Sequence, residues 1–234
     1  MVDFERMSNL RRRSFMAKAT ITNRWKNGIC PFVVVFGASG VGKTSIIHQL
    51  LNKPWPSEHK PTVEDMYSYN YDESGSKIQI NILDTSGQDE YPAMRRVAIQ
   101  KADIFILIFS IDSEESFQRV STIRDSILEI QNTEEQDMVP IVIVGNKCEL
   151  EESRQVSKAI TESIVTMDWQ HGFIEVSAKD RINIRQIFTT ALSQADICHS
   201  VKNAEEQRRT SLPVQSNYSK SSNLLIQKRN SCKT

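Results

Sequence analysis

Four cysteines in 234 residues, Cys30, Cys148, Cys198 and Cys232, stand at no spacing that suggests a disulfide framework or a metal site. No apolar run approaches the roughly 20 residues that span a bilayer, and the N-terminal stretch has no continuous apolar segment of the secretory kind. No internal repeat is visible. These absences exclude a disulfide-stapled domain, a helical membrane protein and a solenoid, and point to a reduced, cytoplasmic setting. Net charge is absent too, with 29 Lys and Arg against 29 Asp and Glu. The balance conceals a segregation. Residues 1–31 hold seven basic and two acidic side chains, and residues 200–234 hold seven and two again, which leaves 15 basic and 25 acidic residues between them. An acidic middle therefore carries two basic arms, which can be solvated and disordered or can attract anionic lipid or acidic protein.

What is present starts at Gly37-Ala38-Ser39-Gly40-Val41-Gly42-Lys43-Thr44, directly after the apolar run Phe32 to Phe36. This G-x-x-x-x-G-K-[ST] pattern on a strand exit lets the backbone curl so that its N–H groups surround a phosphate chain. Lys43 reaches the terminal phosphates and the Thr44 hydroxyl suits Mg²⁺. A helix opening near Gly42, with Ile46, Ile47, Leu50 and Leu51 on its apolar face, adds its positive dipole end to the same place. The pattern predicts a bound nucleoside triphosphate or diphosphate.

The remaining chain alternates. Lys53 to Pro61 reads as an irregular loop because three prolines in eight residues break regular structure. Strands are expected at Met66 to Tyr71 and Ile78 to Leu83, joined by a hairpin turn over Asp72 to Ser76. Ile104 to Phe109 and Ile141 to Val144 read as parallel strands covered on both faces. Helices are expected near 114–131, 153–167 and 182–198, the last with an i, i+3, i+4, i+7 apolar stripe from Ile184 to Ala195. The fold class is α/β: a P-loop three-layer fold with a six-stranded, mostly parallel sheet, one antiparallel edge strand and about five helices. The expected domain is residues 32–199, flanked by basic segments 1–31 and 200–234, both read as disordered.

Four further loops fit one ligand. Thr62 is placed to offer a hydroxyl to Mg²⁺ and its N–H to a terminal phosphate. Asp84-Thr85-Ser86-Gly87-Gln88 leaves a strand beside the phosphate loop. Asp84 can hold a Mg²⁺-bound water, Gly87 can present its N–H to the phosphate, and Gln88 can orient an attacking water. Asn146-Lys147-Cys148-Glu149 and Ser177-Ala178-Lys179 follow two later strands. A guanine base offers two adjacent donors that the Glu149 carboxylate can accept and that adenine does not supply. The Lys147 stem and a backbone N–H in the Ser177–Lys179 loop complete the selection, Asn146 braces the loops, and Trp55 stacks on the open ring face.

Taken together these loops, from Phe32 to about Ser200, resemble the Ras family of small GTPases. Asp84 to Arg96 and Asp103 to Phe117 look most like its Di-Ras and dexamethasone-induced Ras branches. The resemblance implies a slow GTP hydrolase that switches between GDP and GTP. Ser39, Gly40, Val41, Gly42, Lys43, Thr44 and Ser45 would hold the phosphates, with Thr44, Thr62 and Asp84 at Mg²⁺ and Gln88 as the hydrolytic residue. It further implies an effector surface at Val63 to Tyr67, together with an exchange factor and a GTPase-activating protein. A monomer with no nucleic-acid partner is expected. The alternative is a nucleotide-locked binding module whose hydrolysis is vestigial.

Departures from the family are specific. Glu149 stands where the family has Asp, which predicts weaker guanine binding and faster exchange. Ser39 stands where most Ras proteins have Gly, which predicts slow and poorly stimulated hydrolysis. His59 and Lys60 replace a Tyr-Asp pair, making one flank of the effector loop basic. Only two residues follow Cys232, so prenylation is not expected. Any peripheral membrane contact falls to the basic tails, to Leu224, Leu225 and Ile226, or to acylation of Cys232.

Overall fold

A computed structural model describes residues 30–54, 62–73, 76–87, 92–131 and 139–195. The apolar run after Pro31 forms β1 (Phe32–Gly37), followed by α1 (Lys43–Leu50). Next come β2 (Glu64–Glu73) and β3 (Ser76–Thr85), then α2 (Pro92–Lys101), β4 (Ile104–Ser110) and α3 (Glu114–Ile130). The chain finishes with β5 (Ile141–Asn146), a 3₁₀ turn (Glu151–Ser153), α4 (Lys158–Ser163), β6 (Gly172–Glu175) and α5 (Ile184–Gln194). The last turns of α4 widen into a π-helical stretch, Ile164–Asp168.

The six strands lie in the order β2-β3-β1-β4-β5-β6. Every pairing is parallel except β2 with β3, which run antiparallel with Met66 opposite Leu83 and Tyr71 opposite Ile78. The direction of strand succession reverses at β1, which sits between β3 and β4. In such sheets the crevice for a ligand opens beyond the carboxyl ends of the strands at that point.

Alternation along the strands builds two cores. Val33 and Val35 of β1, with Ile80, Ile82, Ile106 and Ile108, pack beneath α1 and α5 against Ile46, Ile47, Ile187 and Phe188. Val34 and Phe36, with Phe105, Leu107 and Phe109, face α2 and α3 against Ile99, Val120, Ile123 and Ile127. Because successive strand residues point to opposite faces, a strand such as β4, apolar from Ile104 to Phe109, requires cover on both sides, and it is buried throughout. The expected three layers, six strands and single antiparallel edge are all present.

Boundaries differ from the sequence reading in several places: β2 and β3 run two residues beyond the expected strands at each end, so Asp72, Glu73 and Ser76 of the expected turn are paired in them. The helix expected over 153–167 begins at Lys158, because the N–H groups of Gln155 and Val156 both donate to the Ile111 carbonyl and hold that stretch extended. The helix expected from 182 begins at Ile184, since Ile182 exchanges two backbone bonds with Ser177. α2 has no counterpart in the sequence reading. It buries only Ala98 and Ile99, too narrow a stripe to announce a helix. The outer part of the expected hairpin turn, Ser74 and Gly75, and the two basic segments lie outside the described residues, apart from Cys30 and Pro31.

Candidate functional site

The glycines of the phosphate loop are there for geometric reasons. Gly42, at φ +97°, occupies backbone space that a side chain rarely adopts, and a Cβ on it would come within 2.3 Å of Asn146 Nδ2. Lys43 folds back across the loop, its ammonium donating to the Gly37 carbonyl at 3.0 Å and the Ala38 carbonyl at 2.9 Å. Burial lowers the Lys43 pKa to about 8, a shift opposed by the nearby Asp84 carboxylate.

Around the loop lies a cavity of about 140 Å³ lined by Ser39, Gly40, Gly42, Lys43, Thr44, Ser45, Thr62 and Gly87, all named from sequence, and by Thr85 and Ser86. Val41 turns the other way and is buried in the core. Beneath the cavity the Thr44 hydroxyl donates to Asp84 Oδ2 at 2.6 Å and lies 2.9 Å from the Thr62 hydroxyl. Three oxygen-bearing side chains separated by 40 residues of chain thus meet at one point. Asp84 is fully buried. Desolvation raises its pKa to about 6, against the lowering effects of the Thr44 hydrogen bond and the Lys43 charge, while Asp65 adds to the rise.

These donors suit a hard cation. Two hydroxyls and a carboxylate are the oxygen chemistry of Mg²⁺ rather than of zinc or copper. Asp84 Oδ1 is buried with no hydrogen-bond partner, so the site retains acceptor capacity that a cation or its water would satisfy. Among the described residues no group of three His, Cys, Asp or Glu side chains could hold a metal, so the fit rests on hydroxyls, one carboxylate and the ligand's own oxygens.

Asn146 ties the loop of residues 37–44 to the loop of Ser177 to Lys179. Its Nδ2 donates to the Val41 carbonyl at 2.8 Å, and its Oδ1 accepts the Ala178 N–H at 3.1 Å. Ser177 is buried, and its hydroxyl accepts the Asp180 N–H at 2.9 Å, fixing the turn that carries the exposed Lys179. Lys147, at φ +66°, is half-buried, with its ammonium 3.9 Å from Asp112. Glu149 is half-buried and its Oε2 is enclosed without a hydrogen-bond partner. The Cys148 N–H donates to Val176 at 3.1 Å, joining the Asn146–Glu149 loop to the strand exit beside it.

The loop bearing Thr62 and the loop bearing Gly87 also touch, through the Ser86 N–H and the Val63 carbonyl at 3.1 Å. Val63, Met66, Met94 and Val97 are exposed, and Val63 and Met94 line a shallow hollow with Glu64 and Ala98. Tyr67, half-buried, packs edge-on to the His48 ring with Lys53 over its face at 4.3 Å. Gln88 and Trp55, both named from sequence, lie outside the described residues, as do His59 and Lys60.

Sequence reasoning missed Asp112, which pairs with Lys147, and Arg154 with Glu175, which join the roots of the two loops that the sequence assigned to a base. The available signal was Glu175 itself, a carboxylate in a strand bounded by apolar residues, because such a group needs a cationic partner.

The Ras family model matches residues 32–196. The chain is 40% identical over 178 residues to the GTP-binding protein Rhes of Mus musculus, covering 74% of this chain and 67% of that protein, and equally similar to its Homo sapiens counterpart. It is 35% identical over 188 residues to the GTP-binding protein Di-Ras2 of Macaca fascicularis, covering 80% of this chain and 88% of that protein. The matched span runs from the first residue of β1 to just beyond α5 and takes in each loop that meets at the cavity. The chain belongs to the Ras family.

Proposed function

We propose that the protein is a GDP/GTP signalling switch that hydrolyses GTP slowly and binds effectors in its GTP form. The observation that carries this reading is the meeting of Thr44, Thr62 and Asp84 beside the Lys43 ammonium, with Asn146 linking that cluster to the loop of Glu149. The names of the relatives, each a GTP-binding protein, support it.

In this mechanism Lys43 and the amides of Ser39 to Ser45 hold the phosphate chain. Thr44, Thr62 and Asp84 would hold Mg²⁺, which neutralises charge on the phosphates. Glu149 accepts two donors of guanine, Lys147 packs along the base, the Ser177–Lys179 turn faces the 6-oxo group and Trp55 closes the ring face. Gln88 orients the water that attacks in line, and Gly87 presents its N–H to the terminal phosphate. Val63 to Tyr67 contact the effector. The exposed apolar side chains at Val63 and Met66 support that assignment, and their neighbours Met94 and Val97 extend the surface.

The domain spans 32–199, and the basic segments 1–31 and 200–234 supply peripheral attraction to anionic membranes for an otherwise cytoplasmic monomer. Among the described residues no helix is long and apolar enough to cross a membrane. A fluorescent protein fused to residues 200–234 should enrich at the plasma membrane. A diffuse signal overturns the tail assignment.

The close approach of Gly87 to Ser39 favours a second reading, a nucleotide-locked binding module, because Ser39 adds bulk where the transition state must fit. Freshly purified protein, denatured and assayed for released nucleotide, separates the two. Mostly GDP supports the cycling switch. Mostly GTP supports the locked module.

A further inference from the structure

β6 carries a carboxylate, Glu175, whose side chain is only 8% exposed. Arg154 meets it with a two-pronged contact, Nη1 to Oε1 at 2.7 Å and Nη2 to Oε2 at 3.1 Å. The other edge of the same guanidinium takes Glu151, with Nε 3.0 Å from both carboxylate oxygens and Nη2 2.6 Å from Oε2. Nη1 also donates to the Val156 carbonyl at 3.0 Å. The two carboxylates hold the Arg154 pKa above its ordinary value.

The positions matter more than the count. Glu151 lies two residues after Glu149, and Glu175 lies two residues before Ser177. One guanidinium therefore fastens the roots of both loops that read the base, in addition to the backbone bond from Cys148 to Val176. Its two halves differ in strength. The Glu151 carboxylate is largely exposed and screened by solvent, whereas Glu175 is buried and without Arg154 would keep only the more exposed Lys158 ammonium, 3.7 Å from its Oε2.

We propose that Arg154 is a positioning residue for guanine recognition, and this rests on the reading that Glu149 accepts the base's two donors. A glutamate has one more rotatable bond than the aspartate usual at that position, so its carboxylate samples more placements from a given backbone. Holding that backbone fixed at Glu151 restricts the sampling. Arg154 touches neither base nor phosphate in this role. It acts through the loop.

The test compares GDP with inosine diphosphate, whose base lacks the 2-amino group and so one of the two donors. Dissociation constants for both are measured by competition on wild type, Arg154→Met and Arg154→Lys, with thermal melts to verify folding. Wild type should prefer GDP by about tenfold or more, the worth of one charge-assisted hydrogen bond. In Arg154→Met the preference should fall to about threefold or less. Arg154→Lys keeps the charge without the planar fork, and its preference should fall partway. Should Arg154→Met not fold, Arg154→Lys alone decides. A folded variant in which both ligands weaken equally, leaving the preference unchanged, overturns the inference and reduces Arg154 to structural support. A wild type without preference overturns the reading of Glu149, and the inference with it.

Discussion

Gly87 meets Ser39 backbone to backbone, so closely that a Cβ on Gly87 would come within 2.4 Å of the Ser39 Cα and N. The loop leaving β3 is thus already seated on the phosphate loop, and Ser39 carries its side chain at that seat. On the proposed switch reading, an activating protein's arginine and Gln88 would share this space in the transition state, and such an arginine is worth several orders of magnitude in rate. Ser39→Gly should raise activator-stimulated GTP turnover by about tenfold or more, measured as phosphate release in single turnover. Unchanged turnover would mean that the serine is small enough to be accommodated.

Glu149 presents a buried, unpartnered oxygen; on the proposed reading its extra methylene is accommodated by a shifted loop or by one poorly aligned bond to guanine. A charge-assisted bond contributes about 1.5–3 kcal/mol. Glu149→Asp should therefore slow GDP dissociation by roughly tenfold to hundredfold, as followed by release of a fluorescent GDP analogue. Faster release from the variant would contradict this.

Asn146 is 1% exposed and satisfies the Val41 carbonyl and the Ala178 N–H at once. Asn146→Ala strands both, at a cost of about 1–3 kcal/mol for each buried group left unpaired. The unfolding midpoint should drop by several degrees and GDP release should accelerate by more than tenfold. A variant that melts lower but releases GDP at the wild-type rate would confine Asn146 to a structural role.

His171, 5% exposed between the π-helical stretch and β6, has an Nε2 with no hydrogen-bond partner. Burial, aided by the Arg124 charge, lowers its pKa from 6.5 to about 4. The unfolded chain then binds more protons than the folded one between those values, so stability rises with pH across that window and is lost as pH falls through it. Each pKa unit corresponds to about 1.4 kcal/mol, so acidification from pH 7 to pH 5 should remove about 2 kcal/mol through this residue. Urea unfolding of His171→Phe should show that part of the pH dependence gone. An unchanged slope would locate the acid sensitivity elsewhere.

The phosphate loop was legible because its chemistry constrains the backbone. Gly42 must adopt a conformation that side chains disfavour while leaving room for Asn146, and no other residue type does both. The strands were legible because β1, β4 and β5 are buried along nearly their whole length. α2 was not, since a helix resting on two buried residues has no periodic signature. The 3₁₀ turn and late start of α4 were hidden for a different reason. The late start is set by Ile111, more than 40 residues earlier, whose carbonyl captures two N–H groups that a helix would otherwise use. The Arg154 clamp was equally invisible, because it joins two acidic residues 24 apart in sequence and only the folded sheet brings them to one guanidinium.

Lys43 lies across its own loop, its ammonium held by two carbonyls of that loop. A free lysine side chain carries about 2 kcal/mol of rotamer entropy, and here most of it is surrendered during folding rather than on binding. The loop is preorganised in the sense that raises affinity without adding a contact. Its charge is less secure than its position, because a pKa of about 8 leaves the ammonium close to losing its proton. On the proposed reading a polyphosphate held by Lys43 would favour the charged form, so binding above pH 8 should draw a proton from solution and affinity should decline with alkalinity.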